Sequence, residues 1–208
     1  MIRVLRRTSG RTSQFLGDAL AWRAPDRQHA LVAWCLIAGA VWFAGSLAGD
    51  PVWPGLTVAG LYLLAVLAAV CAFDARYGII PNSLVVALAV GGMLQTFLPG
   101  QAELLQRGLE AMLFLGVACL FRAAYRWIRG HDGLGFGDVK FATAGVLWIG
   151  MEGVPALLLV AVVSALASLI ILKADGHELN GKQAISFGPH LAIGLWLTWV
   201  AGPLQFGL

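Results

Sequence analysis

The sequence predicts an all-helical fold, a polytopic membrane helix bundle of about seven transmembrane helices with its N-terminus inside. Three observations predict it. First, 59% of the 208 residues are hydrophobic and 12% are charged, where a soluble domain carries about 45–50% apolar and about 25% charged residues. Second, the apolar residues form long runs, separated by breaks of glycine, proline and polar side chains: GDPVWPG, RYGIIPN, LPGQAE, RGHDGLGFGD, GMEG and KADGHELNGKQAISFGP. Third, the basic residues are concentrated on alternate breaks, as orientation in a bilayer requires. No fixed-period repeat and no low-complexity tract interrupts this pattern.

The elements follow in order. Residues 1–29 are polar and basic, with Arg3, Arg6, Arg7, Arg11, Arg23 and Arg27. That is long for the basic region of a signal peptide, and the next apolar run lacks a clear small-residue cleavage site. The stretch reads as a cytoplasmic leader ahead of a retained span at 30–48, so that 30–55 form an additional N-terminal span and outer loop. Residues 56–208 form the remaining six-helix core, with spans at 56–73, 83–98, 109–125, 139–149, 154–172 and 190–204. A helix needs ~20 apolar residues to cross the hydrocarbon, so 139–149 is too short to cross alone. The whole length fits one domain.

With the N-terminus inside, thirteen of the fourteen lysines and arginines fall on the inner side: the six leader arginines, Arg76, Arg122, Arg126, Arg129, Lys140, Lys173 and Lys182. Arg107 alone is outside. Trp53 and Trp148 sit near outer breaks and Trp22 and Trp127 near inner ones, as in an aromatic belt. The net charge of +3 does not indicate nucleic acid, because the basic residues lie between apolar runs rather than on an amphipathic helix with interleaved aromatics. Cys35, Cys71 and Cys119 all lie in apolar runs without a CxxC pair, and read as small buried side chains. His131, Asp132, His177 and Glu178 lack metal-ligand spacing. Glu110 reads as an interfacial group and His190 as a structural residue opening a helix.

Two acids stand out. Asp74 ends the span at 56–73 and Asp138 begins the one at 139–149, both on the inner side. Eleven residues of helix rise about 16 Å against about 30 Å of hydrocarbon, which places Asp138 below the inner surface in a water-accessible dip. Gly133, Gly135 and Gly137 suit irregular backbone at that depth. An ionisable group there costs about 2.5–3.5 kcal/mol before pairing. Taken singly, each acid reads as an interfacial group paired to Arg76 or Lys140. Taken together on matched ends, they read as a pair. Two carboxyl groups held close cannot both ionise easily. One can then take a proton from water while the other polarises a carbonyl, and the pair titrates as a unit, so neither role belongs to a particular residue.

These residues resemble a known family. GFGDVK matches the GxGD signature of intramembrane aspartyl proteases, FDARYGIIPN resembles the first aspartate motif of type IV prepilin peptidases, and ISFGPHLAIG resembles their Phe-Gly-Pro segment. The resemblance covers about 56–204. It implies a membrane aspartic endopeptidase at the cytoplasmic face of the bacterial inner membrane, which removes the short basic leader from type IV pilin-like precursors. Carried onto this chain, Asp74 and Asp138 are the catalytic pair, with Gly135 and Gly137 completing the signature. Lys140 tunes the site, binds lipid phosphate or simply anchors the helix. Pro81 and Asn82 start a helix, and Phe187, Gly188 and Pro189 either shape the substrate groove or start the last helix. Ser186 stands where that motif often has proline. Larger members carry a CxxC-bearing insert and N-methylate the product; this chain has no such insert between its first two spans, so no methyltransferase activity, S-adenosylmethionine, zinc or other cofactor is expected. The expected partners are the precursor and membrane lipid. Two other readings use the same acids: a proton-coupled transporter or channel subunit, which internal inverted repeats would favour, and an inactive scaffold relative.

Overall fold

The computed structural model describes residues 54–97, 101–130, 133, 135–174 and 186–201. Among these residues the regular structure is entirely helical: α1 (Pro54–Tyr77), α2 (Asn82–Phe97), α3 (Gln101–Arg129), α4 (Phe136–Ala174) and α5 (Gly188–Ala201). The basic leader, the predicted span at 30–48, Cys35, His131, Asp132, His177 and Glu178 lie outside the described residues.

Among the described residues three stretches are long and apolar enough to cross a membrane, Val58–Tyr77, Glu103–Arg129 and Phe136–Ile170, while Asn82–Phe97 is apolar but shorter. The predicted spans at 139–149 and 154–172 are the two arms of α4, broken at Gly150, where φ is 70° and ψ 175°. Positive φ is open to glycine with little strain, and Gly150 is the first residue of the GMEG break. Helix α3 starts eight residues before the predicted 109–125 and ends four after it. A helix need not stop where hydropathy does. Glu103 in its first turn and Arg126 and Arg129 in its last are good helix formers that also complement the helix dipole.

Helix α4 is central. It packs against α2, α3 and α5, and α1 packs against α2 and α5. The core joins Leu63, Leu67 and Val70 of α1, Leu88 of α2, Phe141 and Leu157 of α4, and Leu191 and Trp196 of α5. Trp148 belongs to this core rather than to an aromatic belt. It is 4% exposed, its Nε1 donates to the Leu88 carbonyl at 2.8 Å, and its ring stacks on Tyr62 at 6.4 Å. A tryptophan near a break can face either lipid or a neighbouring helix; here Gly91 and Gly92 of α2 open the space for its ring. Trp127, by contrast, is exposed, as are Leu109, Met112, Leu113, Leu120 and Phe121 of α3. Such a continuous apolar face suits lipid and not water.

The contacts define two ends. At one, the C-terminal turns of α1 and α3 meet the starts of α2, α4 and α5: Asp74 touches Gly188, Lys140 touches Asn82 and Arg122 lies over Phe136. At the other, Arg107 and Glu110 of α3 meet the Gly150 break.

Candidate active site

Asp74 is placed by the core stripe of its own helix. Leu63, Leu67, Val70 and Asp74 recur at spacings of four, three and four, so they share one face, and all four are buried. The helix stops one turn later. Gly78, at φ 64°, donates its N–H to the Asp74 carbonyl at 2.8 Å, the cap that a left-handed residue makes at a helix C-terminus. The carboxylate therefore closes an otherwise apolar stripe and is itself only 4% exposed.

Asp138 is placed by a helix start. Gly135 precedes the first turn of α4, and its carbonyl accepts the Val139 N–H at 3.3 Å. Asp138 lies in the first turn of the helix, where a negative charge is favoured by the helix dipole. A Cβ on Gly135 would lie 2.9 Å from Asp138 Oδ2, whereas one on Gly137 would meet Ile80 at an ordinary 3.6 Å. Gly133 packs directly against the Tyr125 ring.

The third component is the start of α5. The Phe187 carbonyl accepts the N–H groups of His190 and Leu191, both at 3.1 Å, and Pro189 sits in the first turn, where a missing N–H costs nothing. Gly188 directs its own N–H at Asp74 Oδ2, at 2.8 Å. The approach is close: a Cβ on Gly188 would lie 2.5 Å from that oxygen and 2.8 Å from Cγ. Ser186 Oγ donates to the same oxygen at 2.5 Å. The charge of Asp74 reaches Asp138 on α4, His190 on α5 and Cys71 one turn back on α1.

Around this group, Pro81 caps α2 from just outside it, its carbonyl accepting from Leu84 and Val85 at 3.1 and 3.3 Å. Asn82 opens the helix and its Oδ1 accepts from Lys140 Nζ at 2.6 Å. Lys140 also lies 5.0 Å from the centre of the Phe136 ring, so its ammonium ties the start of α4 to the start of α2.

All ten residues singled out from the sequence thus lie at one end of the bundle. Two further residues had no assigned part there. One is Ser186. The other is His190, buried, with Nδ1 3.0 Å from Ser164 Oγ. Glu110 is not merely interfacial: its Oε2 accepts the Met151 N–H at 2.9 Å and so caps the second arm of α4. Among the described residues no three His, Cys, Asp or Glu side chains gather as a metal site.

The family model for the type IV leader peptidase family matches residues 61–172, just over half of the chain. The chain belongs to the type IV leader peptidase family. Among its relatives is a prepilin leader peptidase/N-methyltransferase of Dickeya chrysanthemi, 30% identical over 178 residues, or 85% of this chain and 59% of that protein. One of the same name from Aeromonas salmonicida (strain A449) is 32% identical over 148 residues, 70% of this chain and 50% of the other. A third, from Neisseria gonorrhoeae, is 28% identical over 150 residues, covering 72% and 50%. The chain spans about half the length of the curated relatives it matches. No solved structure matches it at a significant level. Its apolar helices and its relatives identify it as a bacterial membrane protein.

Proposed function

We propose that this chain is an aspartic-type endopeptidase that removes the short leader of type IV pilin-like precursors, with Asp74 and Asp138 as its catalytic pair. The observation that carries the reading is that the end of α1, with Asp74, and the start of α4, with Asp138, meet at one end of the bundle, where Gly137 lies against Ile80 just beyond α1 and the charge of Asp74 reaches Asp138, in a chain of this family. The pair shares one proton. The charged member takes a proton from a water molecule, whose oxygen attacks the scissile carbonyl carbon, while the protonated member polarises the carbonyl oxygen. Collapse of the tetrahedral intermediate breaks the C–N bond, and the departing amine takes up a proton from the pair.

The orientation proposed with it has seven crossings, the N-terminus inside and the catalytic end at the cytoplasmic face of the inner membrane. The charge asymmetry supports this: Arg76, Arg122, Arg126, Arg129 and Lys140 lie toward the catalytic end and Arg107 at the other, as the positive-inside rule requires. Family membership favours the protease over a transporter reading of the same acids. The relatives' names also carry a methyltransferase activity; we assign this chain the peptidase step alone.

The test is co-expression with a pilin-like precursor, following leader removal on a gel. Asp74→Ala and Asp138→Ala each abolish cleavage while the protein still inserts. Normal processing by both variants would end the proposal, and proton flux without cleavage would favour the transporter.

A further inference from the structure

We propose that Ser186 is a positioning residue for Asp74, its hydroxyl locking the carboxylate in the orientation that cleavage needs. The inference rests on the peptidase reading above. Two donors of different kinds converge on one oxygen: Ser186 Oγ at 2.5 Å and the Gly188 N–H at 2.8 Å, both to Asp74 Oδ2. Among the described residues no hydrogen-bond donor reaches Oδ1. An N–H alone leaves the carboxylate able to twist about Cβ–Cγ, because a single donor restrains its plane weakly. A hydroxyl converging on the same position from a second direction narrows that twist, so that one oxygen position is held by the two donors and the other is left for water and substrate, whichever of the two equivalent oxygens occupies each. The Ser186 contact lies in the range of charge-assisted O–H···O bonds.

The backbone on both sides is already fixed without the hydroxyl. Gly78 caps α1 through the Asp74 carbonyl, and Phe187 caps α5 through its own carbonyl. The hydroxyl therefore constrains the carboxylate rather than the helices, and Ser186 is half-buried rather than packed in the core. Holding a reacting group within the productive geometry acts on the chemical step and not on substrate capture.

The experiment uses the full chain reconstituted in liposomes, with a precursor probe carrying a short basic leader that ends in glycine ahead of an apolar helix. Ser186→Ala lowers kcat by about tenfold and leaves KM unchanged, with the same apparent melting temperature in detergent. Ser186→Thr, which keeps the hydroxyl, restores kcat. Asp74→Ala, run beside them, reports on the peptidase reading itself. If Asp74→Ala is inactive but Ser186→Ala matches the wild type, the positioning role falls and the peptidase reading stands. If Ser186→Ala and Ser186→Thr lose activity equally, or the loss follows a lower melting temperature, the role is structural and the inference is overturned. If Asp74→Ala cleaves normally, both fall together.

Discussion

Glu110 and Asp74 sit at opposite ends of the bundle and make the same contact. Each is a carboxylate on one helix that accepts the N–H of a residue starting another: Met151 to Glu110 at 2.9 Å, Gly188 to Asp74 at 2.8 Å. Their surroundings differ in charge. Glu110 also accepts from Arg107 at 3.3 Å and from Gln106 at 2.9 Å, and Arg107 reaches on to Glu152 at 3.7 Å. The other donor to Asp74 is the neutral hydroxyl of Ser186, and the titratable group facing it from α4 is a second carboxyl, Asp138. The same cap thus serves two ends. With a cation beside it, the acid is a structural tie across the Gly150 break. With another acid beside it, the acid is the one proposed above to take part in proton transfer.

Exchanging carboxylate for amide at each end breaks the comparison most sharply. Asp74→Asn and Asp138→Asn remove the proton-accepting group and lower cleavage by at least about a hundredfold, read as the rate of leader removal in liposomes. Glu110→Gln keeps an acceptor for the Met151 N–H and cleaves as the wild type does. Equal losses at the two ends would mean that the charge difference has no bearing on chemistry. Glycines come next. Gly188→Ala pushes a methyl into the Asp74 carboxylate, 2.5 Å from Oδ2 and 3.0 Å from Cβ, so the acid must rotate away from its donors; cleavage falls by about tenfold or more. Gly137→Ala meets only Ile80, at 3.6 Å, and the protein folds with an unchanged melting temperature. Lost cleavage in that variant with normal folding would place the Gly137 hydrogens against substrate rather than against the bundle.

How much of this was legible in the sequence depends on the range of the interaction. Local signals read well. The two acids at matched ends of apolar runs, the GMEG break that became Gly150, and the starts of α2 and α5 at Asn82 and Gly188 all follow from short stretches. The length of α3 did not, because hydropathy marks the apolar part of a helix and not its charged ends. Trp148 did not, because lipid-facing and core-facing tryptophans share the same position near a break. The contacts that define the roles of Ser186 and Glu110 join residues 112 and 41 positions apart, and nothing near either residue announces its partner. Ser186 looked like a departure from a motif; its meaning appears only when α1 and α5 are placed side by side.

The structural end yields the smaller effects, and they sharpen the contrast because they should leave the chemistry alone. Gly150→Ala forces a side chain into positive φ and against the Arg107 guanidinium; with ψ at 175° this is backbone that almost only glycine adopts, a cost of about 1–3 kcal/mol, and Arg107 must also move. Glu110→Ala leaves the Met151 N–H without its acceptor and separates Arg107 from its nearer acid, a loss of about 1–3 kcal/mol. Both should appear as a lower melting temperature in detergent, with kcat retained below that temperature. Trp127→Ala, at a side chain 87% exposed, stays within about 0.5 kcal/mol. The two ends separate when cleavage is lost at Asp74 without loss of stability and stability is lost at Glu110 without loss of cleavage. If Glu110→Ala instead lowered kcat at full stability, the Gly150 break would be coupled to the acids along the 136–149 arm of α4, and the two ends would have to be read as one device.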